Sequence, residues 1–304
     1  MNKITDKLLI LVSFYLLQLG LYAQEKSGPD YGSKYFDQET FTKNFEEKTG
    51  KFLESGNYLT IEDAEKQIVE KEGKVIEIKK VSPRRKKLSE KQVYSLLKES
   101  AVVFGISYDC GYCDLAHINP TSGYIIGEDG LCVTNYHVIE SYIRGKEQNL
   151  SLQVMTASGY TYPVVEIVTA YKNADLVVVK LDTKGDKLTP IPFGEDAEVG
   201  DKIHILSNPS NMFFYFSTGI VARNYLMTPS QAKDNKVSPE MQVTADYAVG
   251  SSGGPVADIK GNLVATVSNT KSIYTNSSAN INLQMVVKGT KPVVLLKEVV
   301  RFKK

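Results

Sequence analysis

The sequence contains no tryptophan, only three histidines and no excess of charge of either sign. Its formal net charge is +1, and basic and acidic residues are mixed along its 304 positions. This balance gives no reason to expect a nucleic acid or an anionic membrane as a partner. The histidines are His117, His137 and His204, so every arrangement that needs a catalytic histidine after position 204 is excluded.

The stretch Gly250-Ser251-Ser252-Gly253-Gly254-Pro255 is the strongest functional signal in the chain. Glycine costs backbone entropy on folding, so a serine set among glycines needs an explanation. A tight turn made by the flanking glycines would expose the Ser252 hydroxyl as a nucleophile. The same turn would leave the N–H groups of Gly250 and Ser252 free to bind an oxyanion. The alternative interpretation is a surface loop rich in glycine and serine.

The order of the residues selects between two kinds of serine hydrolase. The pattern Gly-x-Ser-x-Gly also occurs in α/β-hydrolases, but there the histidine follows the serine, and no histidine follows Ser252. The remaining common order is histidine, aspartate, serine. His137 ends a stretch, residues 121–138, that predicts a strand, an Asp-Gly turn and a second strand. Asp175 opens the β-branched run 175–181.

Four blocks, in this order along the chain, resemble trypsin-fold serine peptidases of the HtrA-like type. They are Thr134-Asn135-Tyr136-His137-Val138 with the hairpin before it, Ala174-Asp175-Leu176, the stretch 193–221, and Gly250 to Pro255. The resemblance runs from about residue 98 to about residue 290. It implies an all-β fold of two six-stranded antiparallel β-barrels with a catalytic triad of His137, Asp175 and Ser252 in the cleft between them.

The resemblance also implies a reaction and its partners. The first barrel would run to about Leu181, and the second would begin near Ile191. The activity implied is that of a serine endopeptidase that acts on protein or peptide substrates through an acyl-enzyme and uses no cofactor. HtrA-like proteins are often trimers, which leaves a homo-oligomer open. Many also add a PDZ domain, and we expect none here because little chain follows Ser252.

Candidate pocket residues lie on both sides of the serine. Asp246 precedes Ser252 by six positions, and in trypsin an acid at that offset selects lysine or arginine. Ser268, Asn269 and Thr270 belong to a stretch that resembles the pocket wall, where Ser268 would lie near Asp175. Because Thr270 stands where trypsin has glycine, the pocket mouth should be narrower, which favours small or aliphatic side chains over basic ones.

The first 23 residues predict a cleaved signal peptide. Lys3 and Lys7 precede the apolar stretch 8–21, and Ala23 is a small residue before a cut at Gln24. The apolar stretch is short for a membrane anchor. We therefore expect export, to a periplasm or outside the cell, with no membrane insertion after cleavage.

Residues 24–88 are dense in lysine and glutamate and lie outside the resemblance. They are either a solvated N-terminal extension or a propeptide removed at the basic run 84–87, and both interpretations stay open. The pattern predicts amphipathic helices around 39–53 and 61–71 and an extended piece over 75–81.

Residues 89–304 are expected to form the peptidase domain. Ser89 and Gln92 are the ends of a capping box that predicts a helix through about Glu99. Thr290 and Pro292 predict the start of a short C-terminal helix.

The segment Cys110-Gly111-Tyr112-Cys113 with His117 has three interpretations. A disulfide between Cys110 and Cys113 is favoured in an oxidising compartment. A metal site with His117 lacks an obvious fourth ligand, so no metal is expected. A redox-active pair lacks the βαβ context of such motifs. The third cysteine, Cys132, lies in a predicted strand and is expected to be a small buried apolar residue.

Two other functional classes follow from the same features. A catalytically silent binding protein on a protease fold could use residues 24–88 to contact a partner. A thiol-disulfide enzyme would depend on Cys110 and Cys113 rather than on Ser252.

Overall fold

The computed structural model describes residues 35–113, 115–228 and 237–303. The expected signal peptide and its cleavage site at Gln24 lie outside these residues. From Gln38 onward the chain forms one compact unit. Its helices are α1 (Gln38–Ser55), α2 (Ile61–Glu70), α3 (Glu90–Ser100), α4 (Tyr136–Arg144) and α5 (Val293–Val299). No helix among the described residues combines the length and the apolar character needed to cross a bilayer.

The fold is dominated by strands. They are β1 (Ile76–Ile78), β2 (Ala101–Asp109), β3 (Ala116–Gly127), β4 (Leu131–Thr134), β5 (Asn149–Thr156), β6 (Thr161–Tyr171), β7 (Leu176–Leu181), β8 (Lys202–Ser207), β9 (Tyr215–Met227), β10 (Ser238–Val243), β11 (Pro255–Asp258), β12 (Leu263–Asn276), β13 (Ile281–Pro292) and β14 (Val300–Phe302). Within residues 35–113, 115–228 and 237–303, fourteen strands against five α-helices confirm the predicted all-β class with helical additions at both ends.

Twelve of these strands form two closed antiparallel barrels. The first has the order β2-β3-β4-β7-β6-β5, and the second has the order β10-β13-β12-β11-β8-β9. The first barrel ends at Leu181, as expected, whereas the first strand of the second barrel begins at Lys202, later than the expected start near Ile191. Each barrel encloses its own apolar cluster of inward-facing side chains, because side chains alternate between the two faces of a strand.

A third apolar cluster lies between the barrels and beneath the helices. Tyr124 of the first barrel is fully buried there, and its hydroxyl is 2.7 Å from Thr266 Oγ1 of the second barrel. A polar atom buried this deeply needs a partner, and this hydrogen bond is one of the contacts that hold the two barrels together. The candidate site lies in the cleft between them.

The N-terminal helices pack on the barrels through one apolar face each. Phe41 and Phe45 are one helical turn apart on α1, and both are buried in the cluster between the barrels. Ala64 and Ile68 have the same spacing on α2 and join the cluster of the first barrel. The lysines and glutamates that dominate the composition of this segment occupy the opposite faces of the helices. The segment can therefore be highly charged and still pack against the barrels.

Residues 76–88 then cross to the second barrel and the C-terminal segment. Strand β1 pairs in parallel with β14, where Ile76 lies opposite Val300. Farther along, the Arg84 backbone N–H donates to Asn262 Oδ1 at 2.7 Å, and Asn262 Nδ2 donates to the Arg84 carbonyl at 2.9 Å. The basic run is therefore attached to the β11–β12 turn. The predicted capping box of α3 is present, with the Ser89 hydroxyl and the Gln92 side chain each bonded to the other's backbone.

Candidate active site

The turn after β10 places the Ser252 side chain in the cleft and buries the side chain of Ser251. Gly250 and Gly253 have φ angles of +92° and +85°, which are favourable only for glycine. A Cβ on Gly250 would lie 2.6 Å from the Asn208 carbonyl oxygen, so space as well as conformation requires glycine there. Ser251 is fully buried, with its hydroxyl accepting a hydrogen bond from Ser207. Of the two serines in this turn, Ser252 is the one that lines the cleft.

Ser122 of β3 ties this turn to the first barrel. Its backbone N–H donates to the Ser252 carbonyl at 2.9 Å, and its hydroxyl donates to the Gly250 carbonyl at 2.9 Å. These two bonds attach the Gly250–Ser251 and Ser252–Gly253 peptide groups to β3. Sequence reasoning missed Ser122, because no local pattern distinguishes it from any other polar residue in a strand.

His137 lies in the first turn of α4, directly after β4. Its Nε2 is 2.9 Å from Ser252 Oγ, and its Nδ1 is 2.9 Å from Asp175 Oδ2. The backbone N–H of His137 also donates to Asp175 Oδ1 at 3.0 Å. The imidazole is therefore held between the hydroxyl and the carboxylate, with one ring nitrogen facing each.

Asp175 is buried in a left-handed backbone conformation, with a φ angle of +54°. Aspartate tolerates this conformation better than most residues, and Tyr136 N–H and Asn135 Nδ2 both donate to its carbonyl. Burial alone would raise the pKa of the Asp175 carboxyl. The hydrogen bonds from His137 and Ser268 outweigh burial and hold this pKa below its usual value. The site therefore contains a carboxylate that stays charged beside the imidazole.

The two candidate oxyanion donors are not used within the fold. In the described part of the chain, no acceptor receives the N–H of Gly250 or the N–H of Ser252. By contrast, the N–H groups of Ser251 and Gly253 are bonded to the carbonyls of Ala248 and Val267. The turn thus leaves two donors available beside the hydroxyl, which is the arrangement that stabilises negative charge on an attacked carbonyl oxygen.

A cavity of about 240 Å³ opens beside the serine. Its lining includes the predicted Ser268, Asn269 and Thr270, and it also includes Tyr247 and Val249, which sequence reasoning missed. The Tyr247 hydroxyl lies 2.9 Å from the Asn269 carbonyl oxygen and 2.7 Å from that of Gly289, so its proton is shared between these two acceptors, and burial raises the pKa of this phenol. The ring therefore occupies fixed space at the cavity and limits what can enter.

Asp246 does not lie among the cavity residues. Its side chain is 77% exposed, and its carboxylate accepts a 2.7 Å hydrogen bond from Lys288 of β13. The Asp246 carbonyl accepts a further bond from the Ser217 hydroxyl. Lys288 is 42 positions away in the sequence, so the local pattern around the serine could not indicate which way this carboxylate turns.

The three cysteines and the other two histidines lie outside this cleft. The sulfurs of Cys110 and Cys113 are 3.4 Å apart, which is beyond bonding distance, so the disulfide expected from the sequence is not formed in the structure. Cys132 is fully buried in β4, as predicted, and burial raises the pKa of its thiol. His204 is buried on β8 with its ring stacked on Phe216, and this burial lowers its pKa.

Comparison with known proteins finds serine peptidases. Residues 121–265 match the family described as trypsin-like peptidase domain. Protease Do-like 1, chloroplastic, of Arabidopsis thaliana is 30% identical over 185 residues, which is 60% of this chain and 40% of that protein. Serine protease HTRA1 of Xenopus tropicalis is 30% identical over 145 residues, 47% of this chain and 30% of that protein.

A third relative is a bacterial protein. The probable periplasmic serine endoprotease DegP-like of Brucella suis is 27% identical over 171 residues, which is 55% of this chain and 30% of that protein. In all three cases the chain spans less than half the length of the relative that it matches.

Proposed function

We propose that this chain, which carries a trypsin-like peptidase domain of the HtrA-like type, is a serine endopeptidase that cleaves peptide bonds through an acyl-enzyme on Ser252. One observation carries the proposal. A continuous line of hydrogen bonds runs from the Asp175 carboxylate through His137 to the Ser252 hydroxyl, with 2.9 Å at each ring nitrogen. A serine hydroxyl is a weak nucleophile at neutral pH unless a base of this kind takes its proton.

In the acylation half of the proposed reaction, Ser252 Oγ attacks the substrate carbonyl carbon while its proton moves to His137 Nε2. The charged carboxylate of Asp175 stabilises the imidazolium that forms and keeps the Nδ1–H tautomer in place. The carbonyl oxygen becomes an oxyanion, which the N–H groups of Gly250 and Ser252 can bind. Collapse of the tetrahedral intermediate breaks the C–N bond, and His137 gives its proton to the leaving amine.

In the second half, water replaces the amine. His137 takes a proton from this water as it attacks the ester carbonyl, and a second oxyanion forms in the same place. Collapse breaks the C–O bond to Ser252, returns the proton to Ser252 Oγ and releases the carboxylic acid product. Loss of one oxyanion donor typically raises such barriers by roughly 3 kcal/mol.

We further propose that the residue before the scissile bond is small or aliphatic. Two contacts support this. The Asp246 carboxylate, which would attract a basic side chain, is paired with Lys288 outside the cavity. Tyr247 and Thr270 line the cavity, so their side chains reduce the space open to a substrate side chain.

Export to a periplasm or to the outside of the cell is the proposed location. It rests on the signal-peptide pattern of residues 1–23 and on the relative whose printed name places it in the periplasm. Protein or peptide substrates follow from the family, and self-association follows by analogy with HtrA-like proteins.

The proposal is tested by exposing the purified chain to a fluorophosphonate probe, with Ser252→Ala and Ser251→Ala in parallel. We expect one covalent adduct on Ser252 in the parent and in Ser251→Ala, and none in Ser252→Ala. Ser251 is the matched control because it is the adjacent serine in the same turn. If no form is labelled, the catalytically silent binding protein becomes the better description.

A further inference from the structure

A cluster of three metal-binding side chains lies at the tip of the β2–β3 hairpin, outside the catalytic cleft. Cys110 and Cys113 lie in the connection between the strands, and His117 lies on β3. The two sulfurs are 3.4 Å apart, and Cys113 Sγ is 3.2 Å from His117 Nε2. All three candidate ligand atoms lie within 4.8 Å of one another, so a single ion placed among them could contact each.

The histidine ring is oriented by a residue from another element. His117 Nδ1 is 3.1 Å from Oε1 of Glu46 on α1, which leaves Nε2 directed at the thiols. Histidines that bind metals in proteins almost always donate their other ring N–H to a carboxylate or a carbonyl in this way. A disulfide between the two cysteines would not require His117 or Glu46. The orientation of His117 toward the thiols is therefore better explained by a metal ion bound to all three side chains than by a disulfide.

A tight turn separates the two cysteines. Gly111 has a φ angle of +72°, and its N–H donates to Asp109 Oδ1 at 2.7 Å. Two cysteines separated by two residues, with such a turn between them, are a common source of two ligands in zinc sites.

We propose that Cys110, Cys113 and His117 bind a thiophilic d¹⁰ cation, Zn²⁺ or Cu⁺, with Glu46 as the residue that positions the histidine. Three protein ligands leave one coordination position of a tetrahedral ion to solvent or to an incoming ligand. Soft sulfur ligands with one imidazole suit zinc and monovalent copper and disfavour magnesium and calcium. Binding displaces the two thiol protons to solvent, and no oxidant is required. The site is independent of the proposed peptidase reaction.

The test is a titration of the reduced full chain with Co²⁺ under anaerobic conditions. Cobalt stands in for zinc and gives a thiolate-to-cobalt absorption band when sulfur binds it. We expect saturation at one equivalent, displacement of cobalt by Zn²⁺, and loss of the band in Cys113→Ser. Cys113 is exposed, so this variant should fold normally. The matched control is Cys132→Ser, which leaves all three proposed ligands in place and should keep the band.

The variant Glu46→Gln tests whether Glu46 positions His117 or binds the ion itself. It should keep the cobalt band but weaken the affinity by about 10- to 100-fold, because the carboxylate acts through the histidine. Elemental analysis of the protein isolated from cells distinguishes zinc from copper.

Three outcomes would overturn the proposal. The first is a reduced chain that shows no thiolate-to-cobalt band. The second is equal cobalt binding by the parent and by Cys113→Ser. The third is a Cys110–Cys113 disulfide in protein isolated with its free thiols alkylated at lysis. None of these readouts depends on peptidase activity.

Discussion

The hydroxyl of Ser268, on the second barrel, donates a 2.6 Å hydrogen bond to the Asp175 carboxylate of the first. Ser268 also lines the cavity beside Ser252. One side chain thus contacts both the buried acid of the proposed triad and the space where substrate would lie.

Replacing this hydroxyl should slow catalysis without abolishing it. In Ser268→Ala, Asp175 keeps its bonds to His137 but loses one donor, and hydrogen bonds to charged groups contribute about 1.5–3 kcal/mol. We expect kcat/KM to fall about tenfold, measured on a peptide substrate under steady-state conditions. Ser272→Ala, an exposed serine on the same strand, is the control and should match the parent. Equal activity of the two variants would argue against a role for the bond.

The same bond should give a pH-dependent contribution to stability. The pKa of Asp175 is lowered in the folded state, so its contribution is present above the unfolded pKa of about 3.9 and is lost as pH falls through the folded value. We expect the parent and Ser268→Ala to differ most in free energy of unfolding near neutral pH. The gap should narrow as pH falls below about 4, as followed by urea denaturation. A gap that stays constant with pH would mean that the lost bond is not coupled to the charge.

Gly250 should not tolerate a side chain. Gly250→Ala combines a positive φ angle with a Cβ only 2.6 Å from the Asn208 carbonyl oxygen. We expect the turn to shift and kcat to fall by about 10²-fold or more, because an oxyanion donor moves. Gly200→Ala is the matched control, since its φ angle is +94° but nothing lies within 4 Å of the added Cβ. It should cost only about 1 kcal/mol of stability and leave the peptidase rate unchanged.

The helix α1 should contribute to the stability of the whole domain. Phe45 is 1% exposed, so Phe45→Ala should lower the free energy of unfolding by about 3–5 kcal/mol. Val69→Ala on α2 is the control, because Val69 is 72% exposed and its loss should stay within about 0.5 kcal/mol. Thermal unfolding measures both. A Phe45→Ala variant as stable as the parent would mean that α1 is a detachable extension.

Asp246 should not determine a preference for basic residues. Its carboxylate is paired with Lys288 and exposed to solvent. Asp246→Asn should therefore leave the cleavage profile of a peptide library unchanged, with small and aliphatic residues preferred in the parent and in the variant. The opposite outcome would be a parent that prefers lysine or arginine and an Asp246→Asn variant that has lost this preference. It would mean that the Asp246 carboxylate lies in the substrate pocket.

The sequence predicts best the features that depend on residues close together in the chain. Histidine, aspartate and serine each stand in a short pattern of strand ends and glycines, and the structure brings His137, Asp175 and Ser252 within hydrogen-bond distance. The resemblance that implies the two barrels rests on the same short blocks, whose residues are near one another in the chain.

The parts that the sequence does not predict depend on distant partners. The orientation of Asp246 is set by Lys288, and the serine turn is tied down by Ser122 of the other barrel. The amphipathic pattern of α1 and α2 predicts that they are helices but not which surface they cover. The lysines and glutamates on their outer faces resemble those of a solvated segment, and only the packing distinguishes the two.

The pairing of β1 with β14 constrains the order in which the chain can fold. Ile76 lies opposite Val300, so when Ile76 has been synthesised, about 220 residues remain before its partner exists. The N-terminal segment emerges from the ribosome first but acquires its last neighbours at the end. Contacts between such distant positions form late and slowly, because the loop between them must close first. Until Val300 exists, β1 has no strand partner, whereas the apolar face of α2 can already pack on the first barrel, whose last strand ends at Leu181.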